Sequence, residues 1–175
     1  QAPDGHDGRT KAGKELRAVA EASGRILVSA SQWGAVSVMV SALRSDPTAR
    51  ELIDSPGMPE REMYWQENGL PARAKLDKSL SDGTILELKT AESCEARDFQ
   101  RAVFSTYRYD IAAAWYCRAR RAVDAHVERF VFVVVENHPP HAVACCRLDE
   151  AAIIHADDEI DRLLPRIAEA RKTGQ

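Results

Sequence analysis

The chain has 175 residues, of which 45% are hydrophobic and 29% charged, a composition typical of one globular domain with a substantial core. Its formal net charge of −3 at pH 7 argues against a protein that coats nucleic acid indiscriminately, because such binding depends on many phosphate contacts. The longest apolar run, residues 130–135, is far shorter than the roughly 20 residues of a membrane-spanning helix, and no secretory signal opens the chain. We therefore expect a cytoplasmic protein with no membrane partner.

The N-terminal third is predicted to be helical. Residues 1–10 are polar and contain proline and glycine, which indicates a flexible leader. Helical periodicity then recurs over residues 11–22, 32–43 and 47–53. Asp46 can cap the third of these helices, because Pro47 suits the first helical position.

The middle of the chain changes from a helical to a strand period. Strand-like runs cover residues 60–66, 70–79 and 84–90. The dipeptides between them, Asn68-Gly69 and Asp82-Gly83, form tight hairpin turns readily because these residue types tolerate a positive φ. The pattern predicts a three-stranded antiparallel meander.

The C-terminal part mixes helices with two further strands. A helical pattern covers residues 94–123, with an interruption predicted near Thr106, because one unbroken helix would place arginines within its apolar stripe. Residues 129–136, rich in valine and phenylalanine, predict a strand buried on both faces. A neighbouring strand is predicted over residues 142–147, and helices over residues 149–154 and 157–172. The element order indicates an α/β domain with a mixed sheet.

The chemically informative residues lie on either side of the second predicted turn. Strand alternation places Glu87 and Lys89 on one face, while Leu86 and Leu88 point the other way into a core. Asp77 lies across the hairpin and falls near Leu88, between Glu87 and Lys89. A bulge or a slip of one residue decides which face Asp77 occupies, and the sequence leaves that choice open.

Two carboxylates and one ammonium group on a sheet surface favour metal-dependent chemistry at a phosphate. Mg²⁺ takes oxygen ligands and keeps several waters, so Asp77 and Glu87 are candidates to hold it, with the Leu88 carbonyl as a further ligand. Mn²⁺ is a candidate substitute. Lys89 can orient or deprotonate an attacking water, or stabilise charge on the phosphate. The alternative is a solvated hairpin face with a weak cross-strand ion pair, because this spacing is permissive.

The residues around this triplet resemble the nuclease domain of the exonuclease VIII (RecE) type, a prophage family of the PD-(D/E)xK superfamily. The resemblance covers residues 9–136 and rests on several motifs in the same order. The matching residues are Glu60 before Tyr64 and Trp65, Gly69-Leu70, Arg73 and Lys75 before Asp77, Glu87-Leu88-Lys89-Thr90, and Tyr109 and Tyr116. The family has a glutamine four residues before the second tyrosine, where this chain has Ala112.

The resemblance implies a restriction-endonuclease-like fold, with a mixed sheet flanked by helices. It implies a single domain over residues 1–175 from which an upstream part of the family's domain, with a metal ligand, is absent. The implied reaction is Mg²⁺-dependent hydrolysis of phosphodiester bonds, 5′ to 3′ along linear double-stranded DNA, in phage-type recombination. The implied partners are DNA, further copies of the chain in a ring, and a single-strand annealing recombination protein.

These considerations define the candidate site residues. The catalytic candidates are Asp77, Glu87 and Lys89; the metal-ligand candidates are Asp77, Glu87, Leu88 and Glu60, the last by resemblance; the substrate-binding candidates are Arg73, Lys75, Tyr109 and Tyr116. The two basic residues share a strand face with Asp77 by period two and can lead phosphates towards it, or form a solvated face. The two tyrosines share a helical face that can lie beside Lys89, or simply pack in the core.

Two alternative functions stay open. Ala112 and the absent upstream part favour a catalytically degenerate module that binds DNA without cutting it. An endonuclease or a single-strand nuclease would keep the chemistry and change the mode of attack.

Overall fold

A computed structural model describes residues 10–124 and 126–174. The predicted flexible leader falls on residues 1–9, which lie outside the described residues, and on Thr10. Three helices come first: α1 (Lys11–Ala22), α2 (Ala30–Ser45) and α3 (Pro47–Asp54). Side-chain oxygens of Thr10, Ser29 and Asp46 accept hydrogen bonds from backbone N–H groups in the first turns, so polar caps begin all three helices. The predicted helices are confirmed, and the second is longer than expected.

The predicted meander is also confirmed. It consists of β1 (Gly57–Glu67), β2 (Leu70–Leu80) and β3 (Thr84–Ala91). Asn68 and Gly69 have φ values of 48° and 77° at the first turn, the left-handed conformation that a short hairpin loop requires. The β1–β2 ladder is long, whereas the β2–β3 ladder is short, and this difference shapes the site described below.

The helical region after the meander is interrupted where the sequence predicts. It comprises α4 (Ala96–Arg101), a π-helical segment (Ala102–Thr106) and α5 (Tyr109–Asp124). The Tyr107 N–H donates to the Ala102 carbonyl at 3.0 Å, a bond five residues long that closes the π-helical segment. These elements form the crossover that joins β3 to its parallel neighbour.

The chain ends with β4 (Arg129–Glu136), β5 (Val143–Arg147) and α6 (Glu150–Thr173). The prediction of two helices here is wrong, because one continuous helix covers both. Its buried residues, spaced three or four apart, cross the predicted break without interruption: Ile153, Ala156, Ile160 and Leu164. A single apolar face therefore favours a single helix.

In the described part of the chain, the strands form one mixed sheet in the order β1-β2-β3-β4-β5. The β3–β4 pair is parallel and the other neighbours are antiparallel. No helix among the described residues is long and apolar enough to span a membrane.

Helices cover the two faces of the sheet unequally. The larger core packs α4, α5 and α6 against one face, and a smaller cluster packs α2 and α3 against the other. Strand β4 contributes Phe132 to the larger core and Val133 to the smaller one, so its predicted burial on both faces is confirmed.

Leu86 is buried as predicted, but Leu88 is 42% exposed and borders an open cavity of about 520 Å³. The prediction of a buried Leu88 is wrong, because the smaller layer leaves this end of β3 uncovered.

Candidate active site

Strands β2 and β3 part after two paired positions, and Asp77 occupies the gap. The last ladder pair is Lys78 with Leu86. At the next position, Asp77 Oδ2 accepts a hydrogen bond from the Leu88 N–H at 2.8 Å. A side-chain carboxylate thus satisfies a backbone donor that a continued ladder would have paired with a carbonyl. The predicted proximity of Asp77 to Leu88 is confirmed.

Side-chain alternation along β2 breaks at the same point. Leu76 belongs to the larger core, and Ser79 Oγ accepts a hydrogen bond from Arg120 Nη1 of α5 at 2.5 Å, so both residues face the same side of the sheet. Residues three apart on a regular strand face opposite sides. Lys78 points the other way and donates to two backbone carbonyls at the end of α3. The break in alternation therefore lies at Asp77, between Leu76 and Lys78, while the pairing of β2 with β1 keeps the same register on both sides of it.

Glu87 and Lys89 form a partly buried ion pair on β3. Lys89 Nζ donates to Glu87 Oε1 at 2.6 Å. Glu87 is only 5% exposed, and its Oε2 makes no hydrogen bond to any described residue. Burial raises the pKa of Glu87; the hydrogen bond from Lys89 opposes this, and the nearby Asp77 carboxylate raises the pKa further. A second cation at Oε2 would favour the ionised form of Glu87 beyond what Lys89 supplies.

This donor set fits a magnesium ion. Asp77 and Glu87 are close enough for their charges to repel, and Glu87 Oε2 is the polar atom that still needs a partner. Mg²⁺ keeps several waters and commonly takes one or two carboxylates from the protein. No group of three or more His, Cys, Asp or Glu side chains converges among the described residues, so a complete protein cage is not formed there.

Glu60 lies beside this pair and is turned away from it. The β1–β2 pairs on either side place Glu60 opposite Asp77, although Glu60 itself has a φ of 50° and leaves the regular ladder. Its carboxylate forms an ion pair with Lys75 at 2.5 Å, with both side chains more than half exposed. A role for Glu60 as a ligand would require its side chain to leave Lys75.

The two basic candidates on β2 lie at increasing distance from the carboxylates. Lys75 is two residues from Asp77 and is engaged with Glu60. Arg73 is exposed four residues from Asp77, roughly 13 Å at the strand rise of about 3.3 Å per residue. A hydrogen bond to Glu62 raises the pKa of Tyr64, and the nearby positive charge of Arg73 opposes this in part. The structure does not bring Arg73 into contact with the carboxylate pair.

Tyr109 lies directly beside Lys89. The ammonium nitrogen of Lys89 is 5.0 Å from the centroid of the Tyr109 ring, a cation–π distance. The same ring packs at 6.1 Å from Phe132 in the larger core. Tyr109 therefore packs in the larger core and also lies beside Lys89, where the sequence predicts the helical face with the tyrosines.

Tyr116 lies on the same side of the sheet, seven residues or about two turns further along α5. Its ring stacks on Phe130 at 6.4 Å. Burial raises the pKa of Tyr116, and the charges of Glu87 and Asp77 raise it further, which places its hydroxyl within electrostatic reach of both. Ala112, one turn from each tyrosine, is exposed and leaves an uncovered surface between them.

Two neighbouring features escaped sequence analysis. One is a cavity of about 530 Å³ between the end of β3 and the π-helical segment, partly lined by Tyr107 and Tyr109. The other is the left-handed backbone of Arg108, with a φ of 51°, between these tyrosines. The predicted helix interruption was the available signal, but the sequence does not show how the chain refolds around it.

The fold is that of a restriction-endonuclease-like protein. It has a mixed sheet with helices on both faces, and it carries an Asp and a Glu-x-Lys motif on two strands that separate at the site. Residues 11–175 match the family model described as a PDDEXK-like domain of unknown function (DUF3799), and the chain belongs to this family. The predicted fold class and superfamily are confirmed.

Comparison with solved structures agrees with this fold. A protein from Eubacterium rectale, proposed to be an exonuclease, superimposes with a TM-score of 0.72 at 14% identity, over 92% of this chain and 62% of that chain. This chain therefore spans less than two thirds of that protein. An alkaline exonuclease from Laribacter hongkongensis gives a TM-score of 0.46 at 15% identity, over 95% of this chain and 85% of that chain, too distant a likeness to add to the first. Among curated proteins, none matches the sequence.

Proposed function

We propose that the chain is a Mg²⁺-dependent DNA exonuclease that hydrolyses phosphodiester bonds of linear double-stranded DNA. The observation that carries this proposal is the buried Glu87 carboxylate, which has an unpartnered oxygen beside a second carboxylate and a lysine. A buried anionic cluster with an unused ligand atom is unfavourable in a purely structural role, and a divalent cation removes that penalty. The solved structure from Eubacterium rectale, proposed to be an exonuclease, has the same fold.

Each residue has a distinct part in the proposed reaction. Asp77 and Glu87 would hold the ion, with the Leu88 carbonyl as a third protein oxygen; Mn²⁺ would serve as a substitute for Mg²⁺. When bound, the ion supplies Lewis-acid polarisation of the scissile phosphate. Lys89 is positioned by Glu87 on one side and the Tyr109 ring on the other. Its ammonium group can orient the attacking water and stabilise negative charge as it develops on the phosphate.

The route of DNA to this centre follows the exposed surface around it. Lys75 lies along β2 from Asp77, and Arg73 lies one step beyond, so the duplex backbone can run past both. Glu60 would rotate from Lys75 to the ion when DNA takes over that lysine. Tyr116 would contact the strand across the surface that Ala112 leaves open.

The remaining parts of the proposal come from the resemblance to the exonuclease VIII type. They are the 5′-to-3′ direction, a role in phage-type recombination with a single-strand annealing protein, and assembly into a ring around DNA. A cytoplasmic location accords with a DNA substrate.

The reaction class is tested by incubating the chain with end-labelled linear duplex and with covalently closed circular duplex, in Mg²⁺ and in EDTA. We expect the parent chain to release nucleotides only from the linear duplex and only in Mg²⁺. The Asp77→Ala variant should release none. Cleavage of the circle would instead show an endonuclease, because a circle offers no end.

The second candidate function is a catalytically degenerate module that binds DNA without cutting it. The exposed Ala112 favours it, since the resembling family has a glutamine at this position between two site tyrosines. In the same assay this candidate predicts that the duplex is retarded in a gel but yields no product in Mg²⁺.

A further inference from the structure

The cavity of about 530 Å³ beside the candidate centre has the size of a small-ligand site. It opens at the residues that follow Lys89 on β3, Thr90 and Ala91, and reaches the π-helical segment. Two ring contacts link it to the centre. Tyr109 lies 5.0 Å from Lys89 Nζ, and the ring of Tyr107 stacks on Tyr109 with centroids 5.2 Å apart and an interplanar angle of 17°.

Tyr107 is an unusual side chain for such an exposed place. It is 65% exposed, although burying an aromatic ring is favourable, and only one of its faces can be covered by Tyr109. Tyr107 also lines the cavity, and an exposed aromatic ring beside an open cavity can serve as a stacking platform for another planar group.

The backbone that presents Tyr107 is held in a strained form. The π-helical bond from Tyr107 to Ala102 ends the preceding helix, and Arg108 then adopts a φ of 51°, which a residue with a Cβ rarely adopts. The Arg108 guanidinium donates two hydrogen bonds to the buried Asp110 carboxylate and two to Glu159 of α6, at distances from 2.6 to 3.3 Å. These four charge-assisted bonds fix the strained residue, and strain held in this way is concentrated at functional sites.

The polar lining of the cavity distinguishes between kinds of planar ligand. Glu92 and Asp98 are among the residues that line the cavity, and negative carboxylates there disfavour a phosphate inside it. The same carboxylates accept hydrogen bonds from ring N–H and amino groups, and the Asn137 amide can both donate and accept. Arg101 supplies one positive charge at the border. An aromatic platform surrounded by hydrogen-bonding groups is the chemistry by which proteins recognise an unstacked nucleobase.

We propose that this cavity binds the unpaired nucleobase of the strand end at the candidate centre, stacked on the free face of Tyr107 with its edge towards Glu92, Asp98 and Asn137. The proposal rests on the proposed function, since it takes DNA as the substrate. It assigns Tyr107 to substrate binding and Arg108 to positioning Tyr107, and neither residue belongs to the predicted site.

The test measures binding in EDTA, where no cleavage occurs. Duplexes carry the fluorescent base 2-aminopurine at the 5′ or the 3′ terminal nucleotide, and matched duplexes carry an abasic terminal nucleotide. We expect the parent to quench 2-aminopurine at one of the two ends and to bind that duplex roughly 5- to 150-fold more tightly than its abasic counterpart, the range for stacking of one base. Tyr107→Ala should lose both effects and bind the abasic duplex as the parent does.

Two further variants separate stacking from general damage. Tyr107→Phe keeps the ring and should retain the quenching and the preference for a terminal base. Glu159→Gln loosens the hold on Arg108 and should reduce the preference without abolishing it. Equal binding of base-bearing and abasic ends by the parent would overturn the proposal, as would an unchanged preference in Tyr107→Ala.

The outcomes keep this proposal distinct from the proposed function. Mg²⁺-dependent hydrolysis without any preference for a terminal base overturns the nucleobase site and leaves the nuclease intact. A Tyr107-dependent preference in a protein that hydrolyses nothing supports the site and overturns the nuclease. Failure to bind any of the duplexes in EDTA overturns the nucleobase site, whereas the proposed function is decided separately by hydrolysis in Mg²⁺.

Discussion

Replacing Glu87 with glutamine is expected to stabilise the metal-free protein and to abolish its response to Mg²⁺. Glu87 is buried, and one of its carboxylate oxygens has no partner among the described residues. Burial penalises the charged form of Glu87, and the Asp77 carboxylate repels it. Glutamine removes this charge and still accepts a weaker bond from Lys89, so we expect a net gain of about 1 kcal/mol in the free energy of unfolding, the order of magnitude that accompanies a shifted pKa. For a chain of this length that gain raises Tm by about 2–4 °C.

The gain should depend on pH in a defined direction. Burial holds the pKa of Glu87 above its ordinary value of 4.5 in the folded protein, so the native state retains this proton more strongly than the unfolded state. Stability of the parent therefore falls as pH rises from the unfolded pKa through the folded pKa. Below that window Glu87 is protonated in both states, and the advantage of Glu87→Gln should vanish; above it the advantage should be complete.

Thermal unfolding of the parent and of Glu87→Gln, in EDTA and in Mg²⁺ from pH 4 to pH 8, measures both effects. Mg²⁺ at about 100 times its Kd should add about 2.7 kcal/mol to the parent and nothing to the variant, which reverses their order. Glu169→Gln, an exposed change on α6, serves as the control and should follow the parent. The reasoning is refuted if Glu87→Gln melts below the parent in EDTA at neutral pH, or if Mg²⁺ stabilises both proteins equally.

Three other changes test separate parts of the structure. Ala112→Gln places an amide between the two site tyrosines. One added hydrogen bond to DNA, worth about 1 kcal/mol, should raise kcat/KM on linear duplex about fivefold. An unchanged kcat/KM would show that this position does not contact DNA. In urea unfolding, Leu164→Ala should lower the free energy of unfolding by about 2–5 kcal/mol, because Leu164 is buried. Leu163→Ala, at the neighbouring and partly exposed position, should lower it by about 1 kcal/mol or less. Equal losses would contradict the orientation of α6. Arg118→Met removes ion pairs that join α5 to α6 and to β1, and should cost about 1–2 kcal/mol that 1 M NaCl reduces only in part, because Arg118 is 11% exposed.

Local chemistry predicted most of the fold. The Asn68-Gly69 and Asp82-Gly83 turns define the meander, and Asp46 with Pro47 defines the start of α3, because in each case neighbouring residues determine the backbone. The predicted break near Thr106 is confirmed for a similar reason, since arginines in an apolar stripe are unfavourable in any single helix.

Features that depend on distant partners were not predictable from the sequence. Leu88 has the residue type of a core position, but its exposure depends on where α2 and α3 end. The break in alternation at Asp77 accompanies a hydrogen bond to Leu88 across the hairpin, and either orientation of Asp77 would satisfy the local pattern. Glu60 is a metal-ligand candidate from its place in the family's order of motifs. Its ion pair with Lys75 depends instead on how strands β1 and β2 twist around each other.

The cavity beside Lys89 shows the same limit. Tyr107 and Tyr109 are two residues apart, and nothing in that spacing predicts that their rings stack. The stacking depends on the backbone of Arg108, which is held by Glu159, 51 residues away along the chain. Such a contact follows only from the packing of α6 against α5.

The most direct test of the account is release of nucleotides from end-labelled linear duplex in Mg²⁺ by the parent and by Lys89→Met, at DNA concentrations that saturate both. Methionine keeps the length and apolar contacts of Lys89 but not its charge, and Lys172→Met near the end of α6 controls for loss of a lysine elsewhere. The account predicts release by the parent and by Lys172→Met, and a rate lower by about 10²- to 10⁴-fold in Lys89→Met with DNA binding retained. Release by Lys89→Met at the parental rate would contradict it.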